Sequence, residues 1–168
     1  MIRIFGAGCI MLGSGAFGFA MAAGSRREEE QLRLLVRSLE FMSCELSYRL
    51  TPLSALCREA SALGRGAVSA FFLDLARILE QQISPDVQGC VRAILEEREI
   101  SGELRRLLTE LGATLGRFDL PGQLRGLDAA IRSAEESLRR LREGAPERRR
   151  SYQTLGLCTG AAVAILLL

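Results

Sequence analysis

Charged residues are confined to the middle of this 168-residue chain, and each end of it is an uncharged apolar segment. No charged residue occurs from position 4 to position 24, and none occurs from position 151 to position 168. Apart from Arg3, every charge lies between Arg26 and Arg150. We therefore expect three parts: an apolar segment at 1–24, a charged domain at 25–150 and a second apolar segment at 151–168.

The first apolar segment is long enough to cross a bilayer. Its 21 uncharged residues would form a helix of roughly 31 Å, close to the thickness of the hydrocarbon core. A cleaved signal peptide is the alternative, because Ala20-Met21-Ala22 resembles a cleavage site. Arg26 and Arg27 follow the segment directly, and basic residues there resist translocation, which favours a retained transmembrane helix.

The second apolar segment is shorter, and as a helix residues 151–168 would span about 27 Å. A buried core helix is the alternative. The basic run Arg148-Arg149-Arg150 stands immediately before the segment and favours a second transmembrane helix.

Both basic clusters lie on the side of the apolar segments that faces the middle domain. The positive-inside rule therefore predicts that residues 25–150 lie in the cytosol. Cysteines in a cytosolic domain stay reduced, and without a C-x-x-C motif we expect them to be buried. This expectation concerns Cys44, Cys57 and Cys90.

The middle domain has helical periodicity almost throughout. Its first apolar seam repeats with spacings of 3, 4, 3 and 4 residues, at Leu32, Leu35, Leu39, Met42 and Leu46. Five more amphipathic stretches follow, and no stretch alternates long enough to predict a strand. Prolines, glycines and capping residues separate the stretches, at 51–52, 64–66, 84–86, 101–102 and 116–121, and 144–146 stops the sixth. The sequence predicts an all-α fold, an antiparallel bundle of about six helices flanked by the two transmembrane helices.

No pattern of catalytic or ligand-binding residues occurs in the chain. Histidine is absent, all 22 basic residues are arginine, and there is no P-loop, nucleophile elbow or cluster of metal ligands. The net charge of +2 gives no indication of a nucleic-acid partner. We therefore expect no enzymatic activity, no cofactor and no metal, and a membrane-tethered interaction module is the broader class.

Two local stretches are less generic than the helical seams. The first contains Glu45, Tyr48, Thr51, Pro52 and Leu53, and the second contains Gly112, Leu115, Gly116 and Asp119, followed by Gln123. Gly112 costs about 1 kcal/mol in a helix interior, which predicts a neighbouring helix that approaches closely. We expect that neighbour to be the first helix near Glu45 and Tyr48, with the Tyr48 hydroxyl bonded to a backbone carbonyl.

On these two stretches, their order and the apolar ends, the chain resembles the stage III sporulation protein AB family over its full length. The soluble domain of that family is similar to the cytoplasmic domain of type II secretion system F proteins. The resemblance implies a non-enzymatic membrane platform in the channel complex between mother cell and forespore. It would lie in the outer forespore membrane, with its domain in the mother-cell cytosol.

The partners implied by the resemblance are a cytosolic secretion-type ATPase of the same operon, the other stage III sporulation channel proteins and the membrane. Two alternatives stay open. One is a platform or adaptor protein of a pilus or secretion system without a role in sporulation, which neighbouring pilin genes would indicate. The other is a membrane-tethered signalling adaptor, which would have no ATPase partner.

Overall fold

In a computed structural model, the described residues of the chain form six α-helices. The structure describes the backbone of residues 2–81, 86–116 and 119–167, and the side chains of 24–81, 86–116 and 119–144. Within that backbone there is no β-strand, which confirms the all-α prediction. The helices are α1 (Ile2–Arg49), α2 (Leu53–Leu63), α3 (Gly66–Glu80), α4 (Val87–Glu97), α5 (Gly102–Thr114) and α6 (Leu120–Leu167).

The apolar seams predicted from periodicity form the core. In α1 all five seam residues are buried, and Leu32 and Met42 are fully enclosed. Burial of each such side chain stabilises the fold by about 1.5–3 kcal/mol before the entropy cost of ordering it. Apolar side chains on one face of each of α3, α4 and α5 are likewise buried, and the rings of Phe71 and Phe72 meet edge to face with their centroids 5.3 Å apart.

Polar contacts from α1 to the next two helices show that neighbouring helices are antiparallel. The buried Ser38 hydroxyl donates to the carbonyl of Ala60 on α2, 3.4 Å away. Further back on α1, Gln31 Oε1 accepts from the backbone N–H of Val68, at the start of α3. The chain turns between α1 and α2, and after the turn each later residue contacts an earlier position on α1: Ala60 meets Ser38, and Val68 meets Gln31. Helices α1 and α2 therefore run in opposite directions.

The fifth helix packs against α4 on one side and α6 on the other, again antiparallel to both. The half-buried Arg105 near the start of α5 donates to the carbonyl oxygens of Leu95 and Arg98, at the end of α4. On the other side, the buried Ser137 hydroxyl of α6 donates to Glu103 Oε1 at 2.5 Å. The two hydrogen bonds from Arg105 satisfy carbonyl oxygens that the end of α4 would otherwise leave unpaired.

The helix boundaries differ from the predictions in two places. We expected the middle domain to begin at 25, but α1 begins at Ile2 and continues into that domain, so the acidic residues 28–30 lie in the interior of the helix. We also expected Gly144-Ala145-Pro146 to stop the sixth helix, but α6 continues through them to Leu167. Proline removes one helical hydrogen bond, and the strong helix formers on both sides outweigh that local cost.

The start of α4 is capped by Asp86, which accepts hydrogen bonds from the backbone N–H groups of Gln88 and Gly89. The other two residues of the predicted break at 84–86, Ser84 and Pro85, lie outside the described residues. An aspartate at the N-cap satisfies two of the four free N–H groups of the first turn and suits the helix dipole.

The chain divides into two compact units, residues 28–139 and the pair of segments 1–27 and 140–168. Along the part of the chain whose side chains are described, no helix combines the length and apolar composition that a membrane crossing needs. The segments predicted to cross, 1–24 and 151–168, lie outside those side chains except for Gly24. Both transmembrane assignments therefore stay predictions.

Candidate partner-binding site

The two motif stretches meet at one end of the helical unit. The first forms the end of α1 and the start of α2, and the second forms the end of α5 and the start of α6. A Cβ atom placed on Gly116 would lie 3.7 Å from Leu53 Cδ2, which puts the two stretches in van der Waals contact. We call the exposed part of this region, residues Tyr48–Pro52, the α1–α2 tip.

The turn between α1 and α2 is strained at Leu50. Its φ angle is 51°, in the left-handed region, and among the described residues no other non-glycine has a positive φ. An L-residue in this conformation costs about 1–2 kcal/mol. Pro52 then precedes α2 with φ −56°, and its carbonyl accepts the first hydrogen bond of that helix from the N–H of Leu56 at 2.9 Å.

The α1–α2 tip also carries the two most exposed large apolar side chains of the described residues. Tyr48 is 85% exposed and Leu50 is 65% exposed, and Pro52 between the helices is exposed as well. Aromatic and leucine side chains that stay in water next to one another are typical of a surface that a partner covers. The strain at Leu50 cannot be explained by packing inside the domain, because its side chain faces solvent.

The position of Tyr48 corrects our prediction for its hydroxyl group. We expected it to reach a backbone carbonyl, but the side chain is exposed and makes no hydrogen bond with any described residue. Glu45, one turn earlier, is mostly buried. Its Oε2 atom lies 3.6 Å from Arg49 Nη1 and has no hydrogen-bond partner among the described residues, while Arg49 itself is exposed.

The second motif stretch shapes the core under the tip. Gly112 is buried in α5, and a Cβ atom there would lie 2.8 Å from Val91 Cβ. The close crossing that we predicted at Gly112 therefore exists, but the neighbour is α4 and not α1. Periodicity locates an apolar face and does not say which helix packs against it.

The rest of the second stretch ends α5 and starts α6. Leu115 is buried, and Gly116 follows in the left-handed conformation that ends helices, with φ 74°. Asp119 then caps α6, since its Oδ1 accepts from the N–H of Gly122 at 3.2 Å. The backbone N–H of Gln123 donates to the Asp119 carbonyl, which places Gln123 in the first turn of α6.

Of the first stretch, Thr51 is half-buried and Leu53 packs inward, so Tyr48 and Pro52 are the predicted residues that face solvent. Leu50 lies within the first stretch but is not among the predicted residues, because a left-handed backbone has no signal in the sequence where neither glycine nor asparagine stands at the position. The structure adds it as the central residue of the tip.

The residues that predicted the membrane topology are only partly described. Arg26 and Arg27 are exposed, and neither forms an ion pair or side-chain hydrogen bond with a described residue. The side chains of Arg148, Arg149 and Arg150 lie outside the described residues.

The cysteines differ from one another in exposure. Cys57 and Cys90 are buried as predicted, whereas Cys44 is exposed on α1, which corrects our expectation for it. Burial raises the pKa of the Cys57 thiol to about 12, because the apolar surroundings penalise the thiolate. A thiol held protonated in this way is unreactive.

Neither the groove between α4 and α5 nor any cluster of metal ligands among the described side chains competes with the tip as a site. A groove of about 300 Å³ between α4 and α5 includes Arg105, whose guanidinium is already committed to the end of α4. Among the described side chains, no three potential metal ligands come together. The α1–α2 tip is therefore the strongest candidate surface in the described part of the chain.

Comparison with known proteins agrees with the motifs. The family model described as stage III sporulation protein AB matches residues 3–168. A solved structure of a stage III sporulation protein AB is similar in fold, with a TM-score of 0.59 and 20% sequence identity. The similarity covers 69% of this chain and 94% of that one. No curated protein matches the chain.

Proposed function

Because this chain belongs to the stage III sporulation protein AB family, and its role therefore lies in sporulation, we propose that it is a non-enzymatic membrane platform of the mother cell–forespore channel complex. In this proposal it couples a cytosolic secretion-type ATPase of the same operon to the other stage III channel proteins. The helical domain would serve as the docking unit, as the resemblance to type II secretion F proteins suggests.

The α1–α2 tip is the observation that carries the docking role. It combines exposed apolar side chains, Tyr48 and Leu50, with a backbone conformation that costs free energy. Tyrosine is among the residues that contribute most to protein–protein binding, since its ring buries a large area at a small cost in side-chain entropy. A partner that covers both side chains would recover the cost of leaving them in water.

The membrane role is supported by the chain ends. In our proposal residues 1–24 and 151–168 span the outer forespore membrane, and the domain lies in the mother-cell cytosol. Arg26 and Arg27 are exposed, which suits this orientation, because basic residues next to a transmembrane helix stay on the cytosolic side.

A sporulation assay tests the proposal in cells. The strain should express the chain with Tyr48→Ala and Leu50→Gly in place of the parent, and heat-resistant spores should be counted. We expect a loss of at least about tenfold, since a docking surface without its anchors loses 2 kcal/mol or more. The control is Leu63→Ser, a partly exposed leucine at the other end of α2, which should sporulate normally.

Protein levels decide how the assay is read. Immunoblots must show that the double variant accumulates in the membrane fraction as the parent does. If it accumulates normally and the spore count is also normal, the tip has no role in the channel complex and the proposal fails.

A further inference from the structure

Arg49 stands between the two exposed apolar side chains of the α1–α2 tip. Tyr48 precedes it and Leu50 follows it in the chain, and the Arg49 side chain is itself 73% exposed. Arg49 is also the one charged residue of the tip, Tyr48–Pro52. A partner that covers both apolar side chains therefore meets a guanidinium between them.

The hydrogen-bonding capacity of Arg49 is unused within the described part of the chain. The one ion pair that it makes there joins Nη1 to Glu45 Oε2 at 3.6 Å, which is too long for a hydrogen bond. A guanidinium carries several N–H donors and no acceptor. Water satisfies these donors while the side chain is exposed, so a partner that removes the water has to provide acceptors in its place.

The surroundings of Arg49 do not provide those acceptors. Glu45 is mostly buried, and its Oε2 atom is shielded from solvent and accepts no hydrogen bond from a described residue. The remaining side-chain acceptors of the tip are the hydroxyl groups of Tyr48 and Thr51, which are neutral. The full complement of the Arg49 charge therefore has to come from the partner.

We propose that the protein partner of the α1–α2 tip holds Tyr48 and Leu50 in an apolar pocket and presents, at the rim of that pocket, a carboxylate that binds Arg49. The inference rests on the proposed docking role of the tip. An aspartate or glutamate accepts two parallel hydrogen bonds from one guanidinium, a geometry that neutral acceptors do not match in strength. Charge complementarity of this kind fixes the register of two surfaces and excludes wrong partners. Arg49 thus selects the partner, while Tyr48 and Leu50 contribute the buried area.

The chain has no lysine, which allows a position-specific test. Arg49→Lys introduces a single lysine, and a carbodiimide joins an amine directly to a carboxylate that touches it. The full-length variant carries a tag without lysine and is solubilised in mild detergent from sporulating cells. The captured secretion-type ATPase is treated with the reagent while it is bound. We expect mass spectrometry to find position 49 joined to an aspartate or glutamate of the ATPase.

Arg37→Lys is the matched control. Arg37 is exposed on the same helix, 12 residues before Arg49 and therefore about 18 Å away along the helix axis. This variant should capture the ATPase as the parent does, and position 37 should not become joined to it. If the ATPase is captured and position 49 is joined only to Glu45 of its own chain, the reagent has reached the tip without finding a partner carboxylate, which overturns the inference.

Charge reversal provides a second test that needs no crosslink. Arg49→Glu should reduce capture of the ATPase by about tenfold or more, because it removes charged hydrogen bonds and sets like charges against each other. Arg37→Glu changes the net charge equally and should capture as much ATPase as the parent.

The variants also separate this inference from the docking role on which it rests. If Tyr48→Ala, Leu50→Gly loses the ATPase while Arg49→Glu retains it, the docking role stands and the carboxylate at the rim is overturned. If the parent captures no ATPase, the docking role fails and the inference fails with it.

Discussion

A Cβ atom at position 112 would lie 2.8 Å from the Cβ of Val91, closer than side chains approach one another in folded proteins. Glycine at this position lets α4 and α5 cross at short range. Rotation of the Val91 side chain cannot relieve the contact, because the Cβ atom stays fixed when χ1 changes. Any larger residue at 112 must push the two helices apart.

Gly112→Ala should therefore destabilise the domain, by up to about 2 kcal/mol. Overpacking costs about 1–3 kcal/mol, and the better helix propensity of alanine returns at most about 1 kcal/mol of it. Denaturant unfolding of the full chain in detergent, followed by circular dichroism, measures the difference. Gly102→Ala is the matched control, because nothing lies within 4 Å of a Cβ there, and it should be neutral or slightly stabilising.

The contact itself is tested by adding Val91→Ala to Gly112→Ala. We expect the double variant to lose less than the sum of the single variants by about 0.5–3 kcal/mol, as residues in contact do. Additive losses would mean that the two residues do not limit the approach of α4 and α5.

The second prediction concerns Leu50. Leu50→Gly should stabilise the domain by about 0.5–1 kcal/mol, because relief of the left-handed strain exceeds the entropy cost of glycine. The side chain is mostly in water, so little packing is lost. Leu63→Gly, at the end of helix α2, should instead cost up to about 1 kcal/mol. A loss of stability in Leu50→Gly would show that the leucine packs inside the domain.

Much of the fold could be predicted from the sequence, because burial follows the helical period. The seam from Leu32 to Leu46 and the breaks at Gly64–Gly66 and Gly116 are local signals, and the structure confirms them. The helix that packs against Gly112 could not be predicted, because periodicity identifies the apolar face of each helix and does not say which faces pack together. The continuation of α6 through Pro146 was also missed, because the sequence rule for proline is local.

The candidate site was predicted in part. The motif stretch around Tyr48 includes the residues that form the α1–α2 tip, but we assigned Tyr48 an inward hydrogen bond that it does not make. Whether a residue at a helix end faces the core depends on how the next helix turns away, and that turn is set by the backbone of Leu50. The spacing of apolar residues in the sequence encodes neither the direction of the Tyr48 side chain nor the backbone conformation of Leu50.

The third prediction uses the cysteines as probes of burial. In the folded chain at pH 9, iodoacetamide should modify Cys44 and spare Cys57 and Cys90, as peptide mapping by mass spectrometry would show. The raised pKa of Cys57, about 12, leaves roughly a thousandth of it as thiolate at this pH. Unfolding in denaturant should make all three react, and rapid modification of Cys57 without denaturant would contradict its burial.

The fourth prediction concerns topology. A cysteine placed at the exposed Arg65, in a Cys44→Ser background, should be protected from a membrane-impermeant maleimide in intact cells. The same position should react once the cells are opened, which serves as the control. Modification from outside would reverse the proposed orientation of the domain.

Capture of the ATPase tests the docking role most directly. The full-length chain is tagged, solubilised in mild detergent from sporulating cells and recovered, and the secretion-type ATPase of the operon is quantified by mass spectrometry. We expect the parent and Leu63→Ser to recover it equally, and the Tyr48→Ala, Leu50→Gly variant to recover at least about tenfold less. Equal recovery by all three chains, or none by the parent, would contradict the account.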